Sequence, residues 1–229
     1  MPTPALLAVD LTGAGAGVPA VLMSRLPGRV DWRPADMECW LRRLAGLLPA
    51  IHAAPLPPAG MLRPFARDPQ ASYRPPAWAR YPRVWERAVQ ISHAPPPRLP
   101  AVLLHRDFHP GNVLWRRGVA SGVVDWQAAC TGPAVADVAY CRVNLLTFGS
   151  SAAQRFTAWW QSAAGDTYHP WADVATIIGF LDDLHDGWGS ERTWSRTCSP
   201  APSPTSAGPA GPGDQDMRSS SDRSRTGST

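Results

Sequence analysis

Apolar positions along the chain fall into distinct textures, and each predicts a different kind of element. From Pro34 to His52, Met37, Trp40, Leu41, Leu44, Leu48 and Ile51 return at spacings of three and four, the signature of one helical face. Asp36 stands near its start, where a carboxylate favours the first turn, and Pro49 is expected to kink or end the helix. Earlier, two short apolar runs, Leu6 to Val9 and Pro19 to Met23, flank a turn containing Gly13, Gly15 and Gly17, which predicts a strand hairpin leaving through "RLPG". No helical pattern follows those glycines and no Lys with Ser/Thr closes a phosphate loop, so they read as a plain turn.

Residues 54–100 are proline-rich and irregular, with one short helix expected over Ala77 to Ile91. Then "AVLLH", "NVLW" and "GVVDW" form short apolar runs separated by "RDFHPG" and "RRGVAS", which predicts strands joined by polar loops. Helices are expected over about 134–147 and 151–164 and from Trp171 to about Trp188, all packed into the core. From Ser195 onward the chain is Ser, Pro, Gly, Thr and Arg, with Met217 the only large apolar residue beyond Cys198. Such a segment cannot bury enough surface to offset its ordering entropy, which predicts roughly 35 to 40 disordered residues.

Composition bounds the partners. A chain of 229 residues with 44% hydrophobic content supports one main core. No run approaches the ~18 apolar residues of a membrane span, and no basic segment leads a continuous apolar stretch at the N-terminus, so a soluble cytoplasmic protein is expected. Cys39, Cys130, Cys141 and Cys198 follow no metal-ligand spacing and are expected to be reduced thiols. The net charge of +4 comes from scattered side chains without an aromatic-rich basic stripe, which argues against a nucleic-acid partner. All 22 of the Lys-plus-Arg cations are arginine.

The densest chemistry lies in "HRDFHPGNVLW", where His105, Asp107, His109 and Asn112 crowd one inter-strand loop and Asp125 returns at the end of "GVVDW". Strand ends of this kind place Asp107, Asn112 and Asp125 on one rim. One carboxylate can then take the proton of an attacking hydroxyl, while an amide oxygen and a second carboxylate hold Mg2+ against nucleotide phosphates. Against this stand plainer readings: Asp and Asn as turn formers, His105 and His109 as zinc ligands lacking further ligands at zinc spacing, and Asp137 as an ordinary helix cap.

"HRDFHPGN" followed by "VVDW" resembles the catalytic loop and metal-binding strand of the aminoglycoside phosphotransferase family, a branch of the protein-kinase-like fold, over roughly residues 5–190. The resemblance implies an α+β fold: a small-lobe hairpin remnant and hinge at 1–30, a mostly helical large lobe at 31–194 and a low-complexity tail at 195–229. It implies transfer of the γ-phosphoryl group of ATP, or GTP, to a hydroxyl of a small molecule. Asp107 would be the catalytic base, and Asn112 and Asp125 the Mg2+ ligands. His105 would brace the loop, His109 and Gly111 would form its turn, and Asp137 would tie its backbone. Met23, Ser24 and Arg25 would lie at the hinge that receives the nucleotide base.

The resemblance also raises expectations of what this chain lacks. Family members carry a small lobe with a phosphate-covering loop, a phosphate-pairing lysine and its glutamate partner. This chain begins about where that lobe's last hairpin falls and contains no lysine. "DDLHDGWGSERTW" then runs abruptly into the low-complexity tail, a pattern suited to a truncated or frame-shifted reading frame. A catalytically impaired binding module is therefore the alternative to an enzyme. Asp182, Asp183 and Asp186 form an acidic cluster, either a seat for a cationic acceptor such as an aminoglycoside or a solvated helix face. A macrolide, homoserine, choline or a sugar are the other acceptors of this fold, and the oligomeric state is left open. Deleting residues 200–229 is expected to leave the melting temperature almost unchanged in a thermal scan. A large drop would show that the tail packs on the core.

Overall fold

A computed structural model of the protein describes residues 2–65, 79–94 and 97–180. It opens on an antiparallel hairpin, β1 (Leu6–Asp10) and β2 (Ala20–Met23), with Asp10 opposite Ala20. The glycine turn between them closes on the Asp10 carboxylate. Its oxygens accept from the backbone N–H groups of Gly13, Ala14, Gly15 and Ala16 at 2.8, 3.1, 2.7 and 2.9 Å. Those donors, Ala16 and Gly15 foremost, hold the Asp10 carboxyl down at about 2. Its contribution to the turn is therefore lost only as pH falls through that value.

Helix α1 (Met37–Ala45) starts at Asp36, whose Oδ1 caps the Cys39 N–H at 2.9 Å, a contact worth about 1 kcal/mol. It buries Trp40, Leu41, Leu44 and Ala45. The expected break at Pro49 falls instead at Gly46, and α2 (Leu47–His52) begins directly after it. Pro49 is thus the third residue of a helix, in the first turn, where its missing N–H would have had no intrahelical acceptor. The next helix, α3 (Pro82–His93), begins later than its apolar pattern suggested, because Pro82 suits a first helical position. Ala77 and Trp78 lie outside the described residues.

Four short strands carry the middle of the chain: β3 (Ala101–Leu104), β4 (Val113–Arg116), β5 (Val119–Val123) and β6 (Cys130–Pro133). β4 and β5 form a hairpin whose two turn residues, Arg117 and Gly118, both have positive φ, 51° and 73°, the geometry that matches strand twist. The strand expected over "GVVDW" is displaced toward the N-terminus and stops at Val123, since Asp125 adopts a left-handed φ of 65° that ends the ladder. The sequence pattern did not anticipate β6. It pairs antiparallel with β3, Leu104 opposite Cys130, and takes a parallel bridge from Pro64 on its other side.

Helix α4 (Val135–Leu145) continues into a single 3-10 turn at Leu146–Phe148, and α5 (Ser150–Ala164) and α6 (Trp171–Gly179) follow. The remainder of the helix expected to reach Trp188, the acidic cluster and the tail all lie outside the described residues. The apolar faces of α1, α2, α4 and α5 meet over Leu41, Leu44, Leu48, Val138, Leu145, Phe156 and Trp160, all essentially inaccessible. Each such side chain contributes about 1.5 to 3 kcal/mol by leaving water. Arg142 on α4 grips Asp173 on α6 with two N–H···O bonds of 2.9 and 3.1 Å, tying the last helix to the core. Among the described residues no helix is long and apolar enough to cross a membrane. Cys39, Cys130 and Cys141 are free thiols, and burial pushes Cys130 up to about 11.

Candidate functional site

The loop after β3 is built around a buried carboxylate. Asp137 sits in the first turn of α4, fully inaccessible, and accepts from the backbone N–H of His105 at 2.9 Å and of Arg106 at 2.7 Å. The Nε2 of His52, at the end of α2, lies 3.1 Å from the same carboxylate. Asp137 therefore does not cap its own helix, whose cap position is Ala134. Clamping two successive amides lets Arg106 hold a left-handed φ of 72°, and that reversal turns the chain from strand into loop.

His105 makes the second connection. It is fully buried, its Nδ1 accepts the Asp107 N–H at 3.2 Å and its Nε2 lies 2.9 Å from the Val124 carbonyl oxygen. With Nδ1 an acceptor, Nε2 carries the proton and donates to Val124. Trp126 stacks at a tilt on the imidazole, centroids 4.5 Å apart, and donates its own Nε1–H to Val123 at 3.0 Å. One ring thus joins the Asp107 loop to the Asp125 segment. Backbone bonding does the same a step further along, since the Val124 N–H donates to the Asn112 carbonyl at 3.0 Å.

Asp107 and Asn112 meet directly. The Asn112 Nδ2 donates to both the carbonyl and the carboxylate of Asp107, each at 2.9 Å, which commits the amide hydrogens and leaves its oxygen as the remaining ligand atom. His109 accepts the Gly111 N–H on Nδ1 at 3.1 Å, and its Nε2 stands 3.8 Å from Asp107. Burial pushes His109 below the ordinary imidazole value, against the opposing pull of the Asp107 and Asp125 carboxylates. Gly111 is a glycine of necessity: a Cβ there would lie 2.6 Å from the His109 ring and 3.2 Å from Trp32. Half-buried Asp125 receives no hydrogen bond on its carboxylate among the described residues.

The structure thus brings His105, Asp107, His109, Gly111, Asn112, Asp125 and Asp137 into one connected constellation. Met23, Ser24 and Arg25 lie at and just beyond the end of β2. Ser24 is spent on Ala5, whose N–H it accepts and whose carbonyl it bonds, each at 2.8 Å, while Met23 and Arg25 are exposed. Asp182, Asp183 and Asp186 lie outside the described residues. Sequence reasoning missed Trp32, whose ring lies 6.4 Å from that of His109, and Phe148, which stacks on Trp32 at 6.1 Å with 14° between planes. No local spacing signals them.

The available ligand atoms suit a hard divalent cation. Asn112 offers an amide oxygen and Asp125 a carboxylate without a donor, while no three His, Cys, Asp or Glu side chains cluster as a self-sufficient metal cage among the described residues. Mg2+ is held in that manner, by one or two protein oxygens with water and phosphate completing the shell. Zinc, which needs a closed set of nitrogen or sulfur ligands, is not served by these atoms.

A family model described as the phosphotransferase enzyme family matches residues 1–174. A homoserine kinase from Methylobacterium sp. (strain 4-46) is 32% identical over 140 residues, covering 56% of this chain and 42% of that protein. The chain therefore spans less than half the length of this curated relative. Among solved structures, a type VIII aminoglycoside-3'-phosphotransferase superposes with a TM-score of 0.56 at 16% identity, covering 80% of this chain and 74% of the other. An aminoglycoside phosphotransferase from Streptomyces rimosus, in complex with ADP and streptomycin, does so at 0.52 and 19% identity, covering 82% and 76%. At these identities the likeness is one of fold.

Replacing Asp137 with Ala strands two backbone donors that its carboxylate now satisfies, each costing about 1 to 3 kcal/mol. Urea denaturation of Asp137→Ala is expected to show a loss of about 3 kcal/mol, with a smaller loss for Asp137→Asn. A change below about 1 kcal/mol would show that the loop holds its shape without the clamp.

Proposed function

Since the chain belongs to the phosphotransferase enzyme family and carries its α+β, kinase-like fold, we propose that it binds MgATP and transfers the γ-phosphoryl group to a hydroxyl of a small molecule. The observation that carries this reading is the coupling of Asp107 to Asn112 by two 2.9 Å hydrogen bonds, with Asn112 tied through the Val124 N–H to the segment of Asp125, whose carboxylate receives no hydrogen bond among the described residues. Asp107 orients the acceptor hydroxyl and takes its proton. Asn112, by donating both amide hydrogens to Asp107, fixes that carboxylate and turns its own oxygen to the cation, with Asp125 as the second ligand. Mg2+, when bound, supplies positive charge beside the phosphates. His109, fixed as the Nε2–H tautomer by the Gly111 amide, lines the approach to Asp107. The ADP complex of the Streptomyces rimosus protein supports the choice of nucleotide, and the loop's resemblance supports the roles of its residues. The exposed edge at Met23 and Arg25 is the proposed seat of the base, and a cytoplasmic location, where ATP is abundant, fits the reaction.

One observation favours a second reading, a module that binds nucleotide without efficient transfer. The 229 residues contain no lysine, so the chain offers no ammonium group to pair with the phosphates. One charge-assisted contact is worth about 1.5 to 3 kcal/mol, roughly tenfold to a hundredfold in affinity. The two readings separate in a turnover assay with calorimetric titration of ATP. Weak, Mg2+-dependent binding with negligible turnover fits the binding module, whereas brisk transfer fits the enzyme. In either case Asp125→Asn is expected to remove the Mg2+ dependence. Wherever turnover is measurable, Asp107→Ala should lower it by about 10² to 10⁴ with an unchanged circular dichroism spectrum. Retained turnover in Asp107→Ala would strike this residue from the chemistry.

A further inference from the structure

The hairpin β1–β2 keeps an apolar face in water. Residues opposite one another share a side of the sheet, and Val9 stands opposite Val21 while Leu6 stands opposite Met23. Val21 and Met23 are two apart on β2, so both pairs lie on one side. Leu6 and Val9, three apart on β1, meet there only because the register shifts between Leu6 and Ala8. The bulge therefore gathers Leu6, Val9, Val21 and Met23 into one patch. Leu7 sits at the shift itself, and Leu11 and Val18 lie just outside the strands; all seven are between 46 and 81% exposed.

The rest of the chain holds the hairpin by its open end. The Val123 N–H donates to the Pro2 carbonyl at 3.2 Å, the Ser121 hydroxyl to the Pro27 carbonyl at 2.5 Å, and Arg29 exchanges backbone bonds of 3.1 and 2.8 Å with Trp115. No residue from 2 to 30 is buried. From Ala5 to Met23 the only charged side chain is Asp10, whose carboxylate is taken up by the glycine turn. The strands thus lack the charges that keep an open hairpin away from its neighbours. A two-stranded hairpin is marginal by itself, and a bare apolar face of this size marks a surface that meets a partner.

We propose that this face binds a second copy of the chain, two hairpins packing face to face and running antiparallel about a two-fold axis. Area argues for such a partner. Seven side chains that leave roughly 100 Å2 each in water come close to the ~800 Å2 per partner of a standard-size interface. An apolar patch without charges of its own is complementary to itself, and a two-fold contact presents the same patch from both sides. Charge sets the orientation. Asp10 stands at the turn end of the hairpin, ionised above about pH 2, and exposed Arg25 follows its open end with no ion-pair partner among the described residues. Antiparallel seating brings each Arg25 toward the partner's Asp10, whereas parallel seating would set like charges together. The proposal uses the face of the hairpin and is independent of the phosphoryl-transfer reading, which uses the edge beyond β2.

The test is sedimentation equilibrium of the full chain over about 1 to 100 μM, where a reversible species of twice the chain mass is expected. Val21→Lys, which sets a charge in the patch, should weaken the dimer by about tenfold or more, and Arg25→Glu, which makes the cross-partner pairs repulsive, by about threefold or more. Val84→Lys, at a valine exposed on α3, should leave it unchanged. Hydrogen exchange in the unmodified chain gives a second readout that needs no variant: the amides of residues 6–10 and 20–23 should exchange faster as the chain is diluted into monomer. A dimer untouched by Val21→Lys or Arg25→Glu, one weakened as much by Val84→Lys, open-ended aggregation in place of a closed dimer, or hairpin exchange independent of concentration would each overturn the assignment. So would a monomer at every concentration, including one whose hairpin is protected only by added phosphatidylcholine vesicles.

Discussion

The buried carboxylate of Asp137 is the constraint on which the rest of the site depends. A loop that must turn sharply after a strand exposes consecutive amides with no ladder partner, and in an interior such donors cost about 1 to 3 kcal/mol each when unpaired. Asp137 takes two of them, from His105 and Arg106, and draws His52 onto the same group. Three separate elements, the end of α2, the end of β3 and the start of α4, are thereby fixed relative to a single side chain. Moving any one of them would leave a charge or a donor stranded where water cannot reach it, so the loop has one arrangement rather than several.

From that anchor the geometry propagates through His105. Because its Nδ1 is used by the Asp107 amide, its proton must lie on Nε2, and that proton is aimed at the backbone of the second strand end. Trp126 then covers the ring, which keeps competing water off both bonds. The aromatic residue that follows Asp125 is thus explained by the histidine it shields, and the left-handed backbone at Asp125 by the need to leave the ladder just after Val123. Loop and hairpin are separate stretches of chain, and this pair of rings makes them one rigid unit.

Much of this was legible in the sequence because the relevant residues sit close together in it. The turn at His109 to Asn112, the carboxylate after Val124 and the acid early in the following helix all lie within one local stretch, and their residue types restrict what they can do. Helical faces were equally plain where Leu41, Leu44, Leu48 and Ile51 repeat. What stayed hidden was whatever depends on distant pairing. β6 runs through "CTGP", which carries little strand preference, and becomes a strand because β3 and the Pro64 segment supply ladders on either side. The break at Gly46 rather than Pro49 reflects tolerance of proline in a first turn, which the apolar period cannot reveal. A Cβ at Gly111 would meet Trp32 from a distant part of the chain as well as His109, and only the folded molecule shows why that position excludes a side chain.

The three carboxylates near the loop are partnered differently, and the contrast indicates what each can do. Asp137 is held by protein donors and sealed from solvent, so it is not placed to meet a cation or a substrate. Asp107 is held by Asn112 yet keeps accepting capacity toward the open side, the condition for a group that must take a proton and give it back. Asp125 receives no hydrogen bond on its carboxylate among the described residues and is only half-buried. A half-buried carboxylate without a protein donor keeps its oxygens free to meet a cation. A divalent cation shared with the Asn112 oxygen would complete it while leaving Asp107 free. A cation placed instead on Asp107 would suppress the proton affinity that the proposed chemistry requires. Asp107 and Asp125 thus differ in that Asn112 holds the first, while the second receives no hydrogen bond on its carboxylate among the described residues, and the loop that carries Asp107 is anchored in turn by the clamp at Asp137.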